Sequence, residues 1–301
     1  MSVRRWAWIC MVALAGCRPA KQSARPAAVN QPIVLRNQGF ATPESVLHDP
    51  LTDIIYVSNI NGGPLDADDN GFISALAPDG RILALKLIDG ASGGVTLNAP
   101  KGMALAGPFL YVADINVLRR FDRRGGAPQG EITIPGATFL NDVAAGEDGS
   151  IYVTDSGLKA GPGGLVPSGT DAVYHLTPDG KLDTLARGEE LGRPNGIAVT
   201  GDSVWVVGYG SGELYRVVAG RKVDVVKLPK GSLDGLVLLN GDAIISSWEG
   251  QALFRGHLGG SFEAILSQVP APADIGFDAW RFRLLIPLFE KNEVWFVPLL
   301  P

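Results

Sequence analysis

Six polar residues recur along this chain, each near the start of a short apolar segment: Glu44, Lys101, Asn141, Asn195, Asp234 and Asp274. Three of the side chains are carboxylates and two are amides, so most of them offer oxygen atoms. Oxygen ligands without histidine or cysteine suit hard cations such as Ca²⁺ or Mg²⁺. Three carboxylates brought close together would also raise one another's pKa unless a cation neutralised them. The pattern therefore predicts divalent-metal chemistry, provided that the fold gathers the six side chains.

The spacing of these residues indicates how they would be gathered. They advance along the chain by 57, 40, 54, 39 and 40 residues. After each one comes a second segment of strong β propensity; the six segments read IIYVS, FLYVA, SIYVT, SVWVV, AIISS and RLLIP. A period near forty with several short strands per unit is typical of propeller blades. The innermost strands of a propeller begin around one central channel, so the six side chains would form a ring.

We therefore predict an all-β fold, a six-bladed propeller of four-stranded blades. The turns LAPDG at 76–80 and LTPDG at 176–180 support the repeat, because proline followed by Asp-Gly favours a tight turn. The last blade has only three strands of its own, and we expect the apolar segment Pro32–Arg36 to supply the fourth and remove the open sheet edge. The long connections Asn59–Gly71 and Ser156–Asp171 are expected to form a rim over the channel.

The N-terminus has the features of a secretory signal. Arg4 and Arg5 precede the apolar run WAWICMVALAG, which is shorter than the ~20 residues that span a bilayer. The sequence LAGC at 14–17 resembles a bacterial lipobox, and this resemblance implies cleavage before Cys17 and acylation of its thiol. The alternative is an ordinary signal peptide with a chance cysteine. The expected organisation is a lipoprotein-type signal peptide over 1–16, a flexible tether over 17–31 and the propeller over 32–301.

Charge and cysteine content limit the classes of partner. The formal net charge is −5, and the chain has no basic stripe interleaved with aromatic residues. Nothing in the sequence therefore predicts nucleic-acid binding. We interpret the run RRFDRR at 119–124 as a solvated strand edge that discourages pairing. The two cysteines, Cys10 and Cys17, precede the propeller, so cysteine can contribute no disulfide or metal site to it. We expect a monomer in the bacterial cell envelope, on the periplasmic or another extracytoplasmic face, that contacts the membrane only through its lipid.

Four short motifs resemble those of the senescence-marker-protein/gluconolactonase family, the six-bladed propellers that include regucalcin. They occur in order at blade spacing over roughly residues 40–298: PES at 43–45, LND at 140–142, RPNG at 193–196 and SLDG at 232–235. The resemblance implies that Glu44, Asn195 and Asp234 hold a divalent ion, with Ca²⁺ first and Mg²⁺, Zn²⁺ or Mn²⁺ as substitutes. It implies that Asn141 positions substrate and that Asp234 also acts as general base in lactone hydrolysis.

The chain departs from this family at two ring positions and at one residue near the ring. Phe139 stands where the sugar-lactone hydrolases carry an arginine, which makes a polar sugar lactone a poorer candidate substrate. Asp274 has no counterpart, and we include it among the metal ligands because it completes an acidic arc with Asp234 and Glu44. Lys101 also has no counterpart. It would either assist catalysis by orienting a carboxylate or supporting an oxyanion, or pair with Glu44 and stabilise an empty channel.

A second calcium site is predicted in the first long connection. Asp66, Asp68 and Asn70 place oxygens at positions one, three and five of a calcium loop, and Gly71 follows at position six. The twelfth position is Ala77 rather than glutamate, so the segment is half of such a motif. The alternative is a plain acidic turn.

Two functions remain open on the sequence alone. The first is a divalent-metal-dependent hydrolase of a lactone or related ester, with Asp234, Asn141 and Lys101 as the catalytic candidates. The second is a non-catalytic, envelope-anchored propeller that recognises a small ligand or a protein through its rim loops. A propeller fold does not choose between them, because the same fold carries many activities.

Overall fold

The computed structural model of the chain describes residues 31–299. The predicted signal peptide, the predicted acylation site Cys17 and the predicted tether up to residue 30 lie outside the described residues. Within residues 31–299 the chain is built of strands, and the only helix is the short 3₁₀ turn Glu189–Leu191. No helix in this range is long and apolar enough to cross a membrane.

The strands have the following bounds in chain order. The first half of the chain contains β1 (Ile33–Leu35), β2 (Pro43–Asp49), β3 (Ile54–Asn59), β4 (Phe72–Leu76), β5 (Ile82–Asp89), β6 (Pro100–Ala106), β7 (Phe109–Asp114), β8 (Val117–Asp122), β9 (Pro128–Thr133), β10 (Leu140–Ala145), β11 (Ile151–Asp155), β12 (Leu158–Gly161) and β13 (Gly164–Pro167). The second half contains β14 (Ala172–Leu176), β15 (Leu182–Arg187), β16 (Pro194–Thr200), β17 (Ser203–Gly208), β18 (Glu213–Val218), β19 (Arg221–Lys227), β20 (Leu233–Leu239), β21 (Asp242–Ser247), β22 (Ala252–His257), β23 (Phe262–Ser267), β24 (Gly276–Asp278), β25 (Arg283–Leu288) and β26 (Glu293–Pro298).

These strands form six four-stranded antiparallel blades, which confirms the predicted six-bladed propeller. The blades are, in order, β2 to β5, β6 to β9, β10 with β11, β14 and β15, β16 to β19, β20 to β23, and β24 to β26 with β1. The hairpin of β12 and β13 is an insertion in blade 3 and forms a separate two-stranded sheet. The second strand of each blade is buried on both faces, which explains why these segments are runs of apolar residues without alternation.

The N-terminal strand closes the propeller, as predicted. Strand β1 pairs with β26, with Ile33 opposite Phe296 and Leu35 opposite Val294. Six apolar clusters within residues 31–299 fill the interfaces between neighbouring blades, one at each interface. The cluster between blades 6 and 1 includes Val46 and Phe296 and is therefore as continuous as the others. Strand β26 thus pairs on both sides, with β25 and with β1, instead of remaining an open edge.

A buried ion-pair network joins blades 6 and 1 at this closure. Asp278 is fully buried and accepts hydrogen bonds from Arg281 Nη1 at 3.2 Å and Arg283 Nε at 2.9 Å. Arg281 also donates to Asp53 Oδ2 at 2.7 Å, in the turn after β2. Arg283 donates to the Pro78 carbonyl at 2.6 Å, in the turn after β4. Two turns of blade 1 are therefore bonded to two arginines of blade 6, and both arginines are bonded to Asp278.

The interpretation of the arginine run at 119–124 as a solvated edge is wrong for two of its four arginines. Arg119 and Arg123 are each only 9% exposed. Arg119 donates to the buried Asp114 at 2.9 Å, and Arg123 donates to the buried Asp49 of blade 1 at 3.0 Å through Nε. Buried charges need such partners, because an unpaired charge loses its hydration without compensation.

Candidate functional site

The start of each inner strand is bent toward the central channel. In blades 1 to 5, pairing between the first two strands skips two residues of the inner strand, as between Pro194 and Ile197. Each skipped pair begins with one of the polar ring residues, and such bulges re-aim side chains. In blade 6 the ring residue precedes the strand, and Asp274 N donates to the Glu44 carbonyl at 2.9 Å. The repeated sequence pattern therefore places the ring residues at similar positions at the starts of the inner strands.

Five of the six ring residues line one cavity of ≈ 420 Å³ at the mouth of the channel: Glu44, Lys101, Asn141, Asn195 and Asp234. All six are buried, with exposures between 1% and 8%. Asp274 is not among the lining residues, and its Oδ2 accepts the Ser45 hydroxyl at 2.5 Å. The structure thus brings the predicted catalytic and metal-binding residues together, with Asp274 beside them.

Three buried oxygens in this cavity have no hydrogen-bond partner. They are Glu44 Oε2, Asn195 Oδ1 and Asp234 Oδ1. A buried acceptor without a donor costs about 1–3 kcal/mol. Three such acceptors from three blades, with no donor among them, fit a hard cation. Among residues 31–299 no group of three or more His, Cys, Asp or Glu side chains is arranged to hold a metal, so the candidate set is two carboxylates and one amide.

Neighbouring side chains fix the orientation of two candidate residues. Trp248 Nε1 donates to Asp234 Oδ2 at 2.8 Å, which leaves Oδ1 as the free oxygen of that carboxylate. Asn141 Nδ2 donates to Ser156 Oγ at 3.0 Å, and that hydroxyl donates to the Pro194 carbonyl at 2.7 Å. Both partners hold the functional group in one rotamer, as a site that must act in a fixed geometry requires.

Lys101 is anchored to a rim loop. Its Nζ donates to the carbonyls of Pro64 at 2.9 Å and Ala99 at 3.0 Å, and it lies 4.6 Å from the centre of the Phe139 ring. Burial lowers the pKa of Lys101 to about 8, although Glu44 opposes the shift. Within residues 31–299 no ion pair shorter than 4.0 Å joins Lys101 to Glu44. The structure therefore does not contain the direct pair that the channel-closing alternative required, and a catalytic role for Lys101 stays a prediction.

Asp142 is a further carboxylate of this region, and its sequence pattern did not predict a role for it. Its Oδ2 accepts from Ile197 N at 2.8 Å and its Oδ1 accepts from Val143 N at 2.7 Å, which joins blades 3 and 4. A Cβ on Gly102 would lie 2.2 Å from Asp142 Oδ1, so blade 2 needs a glycine there. Asp142 directly follows Asn141 in the LND motif, but only the neighbouring blades show that it is buried.

Burial raises the pKa of four carboxyls in and around the channel. The pKa values of Glu44, Asp142 and Asp234 lie well above the usual range, chiefly because burial disfavours the charged form and secondly because the carboxyls repel one another. Burial likewise raises the pKa of Asp274, to about 7, while the Ser45 hydroxyl opposes the shift. Without a cation this cluster would hold protons at pH values where exposed carboxyls do not.

Apart from Arg193, the side chains that line the cavity above the ring are mostly apolar. Leu158 and Leu165 from the inserted hairpin line it, as do Ile60 and Pro64 from the long connection of blade 1. Both long connections therefore reach the channel mouth, as predicted. Aromatic side chains of blades 4, 5 and 6 complete the wall and are described below.

Comparison with solved structures shows which proteins share the fold of this chain. No protein-family model matches the chain, and no curated protein matches it. Among solved structures, a gluconolactonase from Xanthomonas campestris matches at 21% identity with a TM-score of 0.67, over 91% of this chain and 92% of its own. The chain is similar in fold to gluconolactonases. This similarity agrees with the resemblance of the four motifs, and at such identity it shows the fold alone.

Two further structures have related architectures. A protein described as a putative gluconolactonase matches at 20% identity with a TM-score of 0.66, covering 91% of this chain and 96% of its own. A virginiamycin B lyase from Staphylococcus aureus matches at 16% identity with a TM-score of 0.63, covering 90% of this chain and 99% of its own. The gluconolactonase-like propellers therefore span the whole described fold.

The predicted second calcium loop is ordered by its own side chains. Asp66 Oδ2 accepts from Gly63 N at 2.8 Å, and Asn70 Nδ2 donates to Asp68 Oδ2 at 2.6 Å. Asp66 and Asp68 are exposed. These bonds are those of an acidic turn, and calcium binding by Asp66, Asp68 and Asn70 stays a prediction.

Stability should depend on pH in a direction set by the buried carboxyls. Because their pKa values are higher in the folded state than in the unfolded state, the folded protein binds more protons, and stability should fall as pH rises from about 4 toward 7. Calcium should suppress this fall, since a cation favours the ionised carboxylates. Thermal unfolding measured across this range, with chelator and with calcium, tests the expectation. Asp274→Asn should flatten the fall in chelator; superimposable curves in chelator and calcium would contradict it.

Proposed function

We propose that this chain is a divalent-metal-dependent hydrolase of a lactone or a related ester. The observation that carries the proposal is the set of three unpartnered oxygens on Glu44, Asn195 and Asp234, at the positions that match the gluconolactonase motifs. A bound divalent cation supplies Lewis acidity toward the ester carbonyl. Ca²⁺ is the first candidate, and Mg²⁺, Zn²⁺ or Mn²⁺ would use the same oxygens.

In this proposal the protein supplies orientation and proton transfer. Asp234, held by Trp248 through one oxygen, takes a proton from water as the water oxygen bonds to the carbonyl carbon. The ring carbon–oxygen bond then breaks, and the proton passes from Asp234 to the departing alkoxide oxygen. Asn141, held by Ser156, positions the substrate. Burial supports the role of Asp234, because a carboxyl with a raised pKa is a stronger base once ionised.

We also propose that the enzyme works in the bacterial cell envelope as a monomer attached through acylated Cys17. The support is the basic start, the short apolar run and the LAGC sequence at 14–17. Globomycin treatment of expressing cells, followed by mass measurement of the protein, would test whether Cys17 is processed as a lipoprotein cysteine.

The proposed function is tested by calorimetric calcium titration combined with lactone hydrolysis assays. Asp66→Ala removes the predicted loop site, so any calcium that still binds with one-to-one stoichiometry is assigned to the cavity. We expect one site to remain and hydrolysis to stop in chelator and return with added metal. If no site remains and no lactone is hydrolysed, the hydrolase proposal fails and the non-catalytic binding propeller becomes the better account.

A further inference from the structure

An aromatic cluster lies directly beside the proposed general base. The Trp248 ring lies 6.4 Å from Tyr209 and 5.1 Å from Phe289, measured between ring centroids. All three side chains line the cavity, and the Trp248 indole is bonded to Asp234 Oδ2. Any ester that reaches Asp234 must therefore place its neighbouring atoms against this cluster.

The opposite side of the cavity is also apolar. Leu158 and Leu165 come from the hairpin inserted into blade 3, and Phe139 also lines the cavity, at the position where a polar arginine would favour sugars. Leu165 is 44% exposed, although it points to the cavity. Apart from Ser156, Arg193 and Tyr209, the polar residues that line the cavity belong to the ring, so the cavity has a polar floor and a mostly apolar wall.

A cavity with a polar floor and an apolar wall favours some classes of lactone over others. A sugar lactone carries hydroxyl groups on most ring carbons, and these would lose hydrogen bonds to water against a wall that offers few partners. An alkyl or aryl substituent gains free energy when the same wall removes it from water. Aromatic side chains in particular offer large contact areas to such groups.

We propose that the substrate is a lactone whose ring carries an apolar alkyl or aryl substituent. The ester group sits at the ring of polar residues, and the substituent lies between Trp248, Phe289 and Leu165. This inference rests on the proposed hydrolase function and adds the class of substrate. Phe289 and Leu165 are the residues that determine specificity, since neither contacts the proposed metal-binding oxygens.

The test is a chain-length series of γ-lactones, from the unsubstituted ring to a pentyl-substituted ring, with gluconolactone alongside. We expect kcat/KM to rise about fourfold for each methylene group that enters the cavity. Phe289→Ala and Leu165→Ser should each lower kcat/KM for the pentyl lactone by about tenfold or more and leave the unsubstituted ring nearly unchanged. Val225→Ala removes a similarly exposed apolar side chain from an outer strand and should leave the series unchanged.

Binding of the matching γ-lactams, measured by calorimetry, separates this proposal from the hydrolase proposal, because lactams resist hydrolysis. Lactam affinity that rises with chain length, together with the same trend in lactone hydrolysis, is the expected result. Hydrolysis of gluconolactone without any chain-length dependence would overturn the substrate class and leave the hydrolase intact. Chain-length-dependent lactam binding without hydrolysis of any lactone would overturn the hydrolase, and with it the lactone substrate, and leave an apolar binding cavity.

Discussion

Replacing Asp234 by Asn is expected to lower kcat/KM for lactone hydrolysis by about 10²- to 10⁴-fold, the range that general-base catalysis contributes. Asparagine has nearly the same shape and can still accept the Trp248 hydrogen bond at the former Oδ2 position. It lacks the charge that both the base and the proposed metal site require. We therefore expect calcium binding in the cavity to weaken or disappear in the same variant, as measured by calorimetry.

The control for Asp234→Asn is the same substitution at Asp224. That residue lies on the outer strand of blade 4 in an exposed ion pair with Arg216, and its left-handed backbone (φ 53°) suits asparagine. Hydrolysis and metal binding should be unchanged there. Asp234→Asn should also stay folded in chelator, because it removes a buried carboxyl whose ionisation costs stability. Unchanged activity with unchanged calcium stoichiometry would remove Asp234 from both roles.

The second large effect is a loss of stability where blades 6 and 1 close the propeller. Replacing Asp278 by Asn should lower the free energy of unfolding by about 3–5 kcal/mol, because it leaves the buried Arg283 without its counter-charge, whereas Arg281 keeps its pair with Asp53. Arg283 is only 1% exposed, and its salt bridge is to Asp278. Urea unfolding followed by tryptophan fluorescence measures the loss.

An exposed ion pair provides the matched comparison. Asp183 pairs with Lys181 at 2.9 Å on the surface of blade 3, where both side chains are well exposed. Asp183→Asn should change stability by less than about 1 kcal/mol, since solvent screens such pairs. Equal effects of the two substitutions would show that the network at Asp278 contributes no more than a surface pair and that pairing of β1 with β26 alone holds the closure.

The architecture could be predicted because its signals are local along the chain. The second strand of each blade is rich in β-branched, aromatic or other apolar residues, and the Pro-Asp-Gly turns of blades 1 and 3 indicate where strands reverse. The count of strands in the last blade even predicted that the segment near Ile33 would close it. Each strand and each turn depends on residues within about ten positions of one another, and the need for a closing strand follows from counting these local elements.

The contents of the site were predicted less completely. The ring residues Glu44, Asn195 and Asp234 came from the repeat together with the motif resemblance. That Trp248 bonds to Asp234, and that Asp142 is a buried channel carboxyl, did not follow from any motif spacing. Asp142 lies at a skipped position beside its ring residue and bonds to the next blade at Ile197, 55 residues away. No local pattern distinguishes it from an exposed turn aspartate.

The burial of the arginines, like that of Asp142, could not be predicted from local sequence patterns. The sequence alone determined the blade repeat, the ring of polar residues and the strand that closes the fold, because periodicity and turn chemistry act between near neighbours. Only the tertiary structure decided which charges are buried and which oxygens lack a partner. Arg123 meets Asp49 across 74 residues of chain, and Arg283 of blade 6 meets the Pro78 carbonyl of blade 1 across 205 residues. Charge pairing and burial depend on such contacts between residues far apart in the chain, and no local sequence pattern reveals them.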